Sequence, residues 1–219
     1  LVWSGFRPSD DACTYGYLIP SNAFALAALR GVRELVDTVL SDSYLAIKID
    51  ELACEIDLAI QRYGIVEHRQ FGRVYCYETD AMGNYVLMDD ANVPNLLSMP
   101  YLGYCGIEDE IYRNTRRLVL SDANPYYHAG RFAKGIGSPH TRQGTIWHLG
   151  LAVQGLTSRD QEEIRELLAM FEATHADTWL MHESFDPDDP ADFTRPWFGW
   201  ANSLYAQFVL HAIDTGAIE

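Results

Sequence analysis

Five short stretches concentrate the residue types that do chemistry: "FRPSDDA" (6–12), "LMDDANVP" (87–94), "GIGSPHT" (135–141), "MHESF" (181–185) and "FTRPWFGWANS" (193–203). Four of them set Asp, Glu, His or Arg beside Pro, Gly or Ser. For any one acid the plainer reading is a helix cap or a partner of the helix dipole, and Asp10, Asp11, Asp89 and Asp90 all precede helices or turns. Capping needs one acid, however, and here adjacent pairs recur beside Arg, His and Trp. Glu183 is different, because its apolar flank implies a buried carboxylate with chosen partners.

A carbohydrate suits this set. Trp and Tyr offer flat walls for the C–H face of a sugar, while Asn, His, Arg and carboxylates meet its hydroxyls. Glycoside hydrolysis needs two carboxyl groups, one protonated and one ionised. A binding site without catalysis uses the same residue types, and two acids in apolar settings favour catalysis. His140 and His182 with Asp89 or Asp90 form a possible metal set. The plainer reading of each histidine is a hydrogen-bonded core or pocket residue. No HExxH, nucleophile elbow, P-loop or dinucleotide fingerprint is present.

The elements that must position these stretches are mainly helical. "PSNAFALAALRGVRELVDTVL" (20–40) predicts a helix capped by Ser21 or Asn22. "SYLAIKIDELACEIDLAIQRYG" (43–64) predicts a second, with Leu45, Ile49, Leu52, Ile56 and Ile60 on one stripe and Gly64 closing it. Residues 71–90 alternate around Gly83 and Asn84 and predict a β-hairpin. Short helices are predicted over 93–103 and 109–120, then further ones over 145–157, 158–176 and 197–216. Ser158 and Gln161 suggest a capping box for the 158–176 helix. The loops at 121–144 and 182–196 are too ornate for bare connectors. This rhythm predicts an all-α array with one small hairpin, forming part of a single domain without an internal boundary.

Lys and Arg number 16 against 31 Asp and Glu, a net charge of −15, which repels nucleic acid and anionic lipid. No apolar run has the length of a membrane span. Absence of a visible leader leans towards the cytoplasm, although Leu1 is not a natural start. The four cysteines are scattered without zinc spacing and read as reduced, mostly buried thiols.

Several long runs resemble the metal-independent exo-α-1,6-mannosidases of glycoside hydrolase family 125. They are "SGFRPSDDACTYGYLIPSNAFA", "YVLMDDANVPNLLSMPYLG", "NPYYHAGRFAKGIGSPHT", "IWHLGLAVQGLTS" and "MHESFDPDDPADFTRPWFGWANSLYA". The resemblance extends over almost the whole chain and is weakest over 41–70 and 104–118. It implies an (α/α)6 toroid, no cofactor or metal, a mannose-containing oligosaccharide as substrate, and inversion by an acid and a base roughly 6.5–9.5 Å apart. The acid falls on Asp10, with Asp11 the alternative, and the base on Glu183. Arg7, Asp11, Asp90, Asn92, His140, His182, Arg195 and Trp200 are the implied substrate-binding or charge-setting neighbours, with Trp197 a second possible wall. Arg195 is expected to bring positive charge to Glu183, and the acid is expected to be buried. Family domains are longer than 219 residues. The chain is therefore expected to hold about the C-terminal half of the toroid, against which the N-terminal half would pack.

Overall fold

A computed structural model describes residues 1–218. Six α-helices are interspersed with short antiparallel strands among the described residues, and the packing divides into two compact units. One comprises Leu1–Leu87 and Pro94–Thr115, the other Met88–Val93 and Arg116 onward. Among the described residues no helix is long and apolar enough to cross a membrane.

In the first unit, β1 (Tyr17–Leu18) leads directly into α1 (Ile19–Leu35). Pro20 starts this helix, where its missing N–H is harmless. The predicted Ser21 or Asn22 cap is not formed. Asn22 lies inside the helix, and its amide donates to the carbonyls of Leu18 and Val2. The helix ends in a π-turn (Val36–Leu40) that Ser41 closes in the left-handed region, φ 52°. Asp42 then caps α2 (Ser43–Tyr63), its Oδ1 accepting from the amides of Tyr44 and Leu45. Gly64 ends α2 as predicted. Ile49, Ile56 and Ile60 are buried with Ala46, whereas Leu45 and Leu52 are exposed, so the buried stripe is narrower than predicted.

The hairpin forms, but with different strands. β4 (Glu78–Thr79) pairs with β1 and with β5 (Tyr85–Val86), and the turn spans five residues. Asp80 shortens the strands: its carboxylate accepts from the Met82 and Asn84 amides and from the Asn84 side chain. β3 (Gly72–Tyr75) instead pairs with β2 (Ile65–His68), a hairpin the sequence reading missed. Residues 94–103 form turns rather than a helix. Asn95 and Ser98 explain this, since each side chain bonds the other's backbone and competes with the helical ladder. α3 (Glu110–Val119) follows, begun by an Asp109 side chain that accepts from the Tyr112 amide.

The second unit contains β6 (Tyr127–Ala129) paired with β7 (Lys134–Ile136), then α4 (His148–Leu156) and α5 (Gln161–Thr174). β8 (Ser184–Phe185) pairs with β9 (Phe193–Thr194) before α6 (Gly199–Asp214). α4 is apolar nearly all round and is buried from His148 to Gly155, as such a helix must be. Gly155 lets Phe208 of α6 approach its backbone closely. Phe171, Phe185, Phe208, Ile164 and Leu167 form the surrounding core. The α5 cap is Asp160, not Ser158: Asp160 accepts from the Glu162 amide, and Ser158 accepts from the Asp160 amide and donates to Glu163.

Candidate active site

The first unit presents the Asp10–Asp11 pair on a closed loop. The Ser4 amide donates to the Gly16 carbonyl at 2.8 Å, and Phe6 and Ala12 form an isolated bridge. Beneath the loop lies Glu78, fully buried on β4. Its Oε1 accepts from Arg7 Nε at 2.6 Å, and its Oε2 accepts from the amides of Thr14 and Tyr15 at 2.8 and 3.0 Å. Charge-assisted bonds of this length are the strong ones, so both arms of the loop are tied to one strand. Asp11 accepts from the Ser9 hydroxyl at 2.9 Å. Asp10 takes the left-handed conformation, φ 68°, which is rare outside glycine and turn-forming acids. It is exposed, in contrast to the buried acid expected from the sequence.

In the second unit Glu183 sits immediately before β8 and is 6% exposed. Arg195 Nε lies 3.1 Å from its Oε1, and the Thr194 hydroxyl donates to its Oε2 at 3.0 Å. Arg195 holds φ 47° and lays its guanidinium over the Phe198 ring at 5.5 Å. The segment carrying Glu183 is held residue by residue. Asn202 of α6 both donates to and accepts from the Met181 backbone. The His182 amide donates to His148 Nδ1 at 2.9 Å, and Phe185 exchanges two backbone bonds with Ile146.

His182 is wholly buried and stacked on Phe193, with ring centroids 3.8 Å apart. Its nitrogens face the carbonyls of Pro196 and His175, which leaves neither for a sugar hydroxyl. Burial pushes its pKa below the ordinary value, against those carbonyls, which favour the charged ring. Asp90 Oδ1 accepts from both the backbone and side-chain nitrogens of Asn92. Asn92 and the His140 amide meet on Ser138 Oγ at 3.3 and 3.1 Å. His140 also contacts Trp147 edge-on, Trp147 contacts Phe198, and Phe198 contacts the exposed Trp200.

The second unit thus gathers Asp90, Asn92, His140, Glu183, Arg195 and Trp200 through Ser138 and a chain of aromatic rings. The first holds Arg7, Asp10 and Asp11 on its loop. Sequence reasoning missed Glu78 and His148. Each is a polar residue in an otherwise apolar or aromatic run, "YCYETD" and "TIWHLGL", and that was the available signal. The cysteines are free thiols, but only Cys76 is buried, fewer than expected.

The helix-rich scaffold carries paired acids on a tied loop in one unit and a partnered, buried carboxylate in the other, residue types that glycoside hydrolysis uses. The chain belongs to glycoside hydrolase family 125: the model of the metal-independent alpha-mannosidase family matches residues 1–210. It is 44% identical over 215 residues to the meiotically up-regulated gene 157 protein of Schizosaccharomyces pombe, covering 98% of this chain and 42% of that protein. It is also similar to a Streptococcus pneumoniae metal-independent alpha mannosidase solved in a non-productive substrate complex with alpha-1,6-mannobiose. That match has a TM-score of 0.95 and 44% identity, and covers 98% of this chain and 51% of that one. The chain therefore spans about half the length of these relatives.

Proposed function

We propose that this chain carries the acid and base of an inverting exo-α-1,6-mannosidase that removes terminal mannose from mannan or N-glycan-like oligosaccharides. The carrying observation is Glu183, a buried carboxylate with Arg195 on one oxygen and the Thr194 hydroxyl on the other. Glu183 takes a proton from water as that water attacks the anomeric carbon. Asp10, with Asp11 the alternative, gives a proton to the glycosidic oxygen as the C–O bond breaks. Attack opposite the leaving group converts an α-mannoside into β-mannose. The mannobiose bound by the pneumococcal relative supports the choice of linkage.

Arg7, Asp11, Asp90, Asn92, His140 and Arg195 would meet hydroxyls or set charge, and the exposed Trp197 and Trp200 would supply walls. His182 fits a supporting role better than a binding one, since both its nitrogens are engaged. The family's description supports metal independence. The helices would belong to one catalytic domain, an (α/α)6 toroid of which this chain forms about half.

Substitution separates the two roles. Asp10→Ala should recover much of its rate on an aryl mannoside with a good leaving group, which needs little protonation. Glu183→Ala should stay impaired on every substrate, because water must still be activated. Equal impairment of both variants on both substrates would refute the assignment and make Asp11 the next acid to test.

A further inference from the structure

His148 opens α4 wholly buried, stacked between Phe171 and Phe185 at centroid distances of 5.5 and 4.4 Å. Its two nitrogens have distinct partners. Thr174 Oγ1 donates its proton to the Met170 carbonyl at 2.7 Å, so towards His148 Nε2, 3.0 Å away, it can only accept. The ring proton therefore resides on Nε2, and Nδ1 is the bare acceptor for the His182 amide at 2.9 Å, a shorter contact than its 3.3 Å approach to the His182 carbonyl. We propose that His148 is the positioning residue of the base: its Nδ1 fixes the peptide that leads into Glu183, and Thr174 fixes the tautomer that makes this possible.

Neighbouring residues of the segment have their own ties, through Asn202, Thr194 and Ile146, but the His182 N–H itself is bonded to His148 Nδ1. The Glu183 amide reaches the Thr194 carbonyl at a long 3.3 Å, so the shorter bond one residue earlier sets the strand's approach. Without Nδ1 the His182 N–H would be a buried donor with no acceptor, a loss that shifts backbone to find a partner. Protonating Nδ1 would turn the contact into donor against donor. Burial keeps the ring neutral and so preserves the acceptor. A displacement of about 1 Å at a catalytic group can cost on the order of a hundredfold in rate.

The proposal rests on Glu183 being the base, and a graded series on the protein tests it. Asn at 148 keeps an acceptor near the Nδ1 position, Gln keeps a polar group near Nε2, and Phe keeps only the ring. His148→Asn should retain kcat on α-1,6-mannobiose within about threefold, whereas His148→Gln and His148→Phe should lose roughly 10–100-fold with KM little changed. A merely structural role would lower Tm and active fraction in His148→Asn and His148→Gln alike, and equal kcat values per folded molecule would overturn the proposal. Should the His148 variants fail to fold, Thr174→Ser and Thr174→Val decide. The serine should hold kcat and the valine lose about tenfold or more, and equal rates would again overturn it. If wild type itself does not hydrolyse the disaccharide, the base reading falls first, a distinct result that takes this proposal with it.

Discussion

Gly155→Ala and Gly31→Ala are the same substitution in two helices, and the structure gives them opposite signs. A Cβ on Gly155 would lie 2.1 Å from Cε2 and 2.4 Å from Cζ of Phe208, where ordinary contact begins at 3.4 Å. The ring must retreat by about an ångström or more, yet it is wholly buried in a close-packed core and has nowhere to go. Overpacking of this kind costs about 1–3 kcal/mol, and the upper part of that range applies to an enclosed ring. Alanine's helical preference over glycine returns about 0.8–1.0 kcal/mol. The net expectation is a loss of about 1–2 kcal/mol. At Gly31 nothing lies within 4 Å of the added methyl, so only the helical gain remains. Urea-unfolding midpoints of the two variants and wild type read both signs, with unchanged m-values expected. The loss at Gly155 should shrink in a Phe208→Leu background, which opens the space. A Gly155→Ala protein as stable as wild type, or a Gly31→Ala protein that falls with it, would refute the reasoning.

Acid should destabilise the protein through His148, which burial, and then the nearby His182, hold neutral down to about 3 against an ordinary 6.5. The stability tied to this group is complete above 6.5 and is lost towards 3 at about 1.4 kcal/mol per pH unit. Denaturation at pH 7.5, 5.5 and 4.5 should show that slope in wild type and a shallower one in His148→Asn. Glu78→Gln should cost roughly 3–5 kcal/mol, because it breaks a buried ion pair and disturbs the acceptor for two amides. Its thermal melt would show this, and an unchanged melt would mean the Asp10 loop is not tied as described. A thiol reagent should label the exposed Cys54 first and reach Cys76 only on unfolding, since burial encloses that thiol and pushes it up to about 12.

Much of the helical framework was legible because its signals are local. Apolar spacing and Gly64 located α2, and the apolar run at 145–157 located α4 to within three residues at its start. The stretches bearing Asp10 and Glu183 stood out by residue type alone. What failed depended on partners distant in sequence or on side chains competing with backbone. β2 and β3 are short strands whose pairing supplies their hydrogen bonds, and β2 directly follows a helix, so periodicity had too few residues to register the change. The Asn95–Ser98 exchange removed a predicted helix that composition permitted. Glu78 and His148 went unread because a lone polar residue in an apolar run reveals burial, not the partner that justifies it.

The anomer released first tests the central claim most directly. Following α-1,6-mannobiose hydrolysis by ¹H NMR, with excess chelator present, resolves the two mannose anomers before they equilibrate. The account predicts β-mannose first, at a rate the chelator does not change, and no release above background by Glu183→Ala. α-Mannose first, or a rate abolished by chelator and restored by metal, would contradict it.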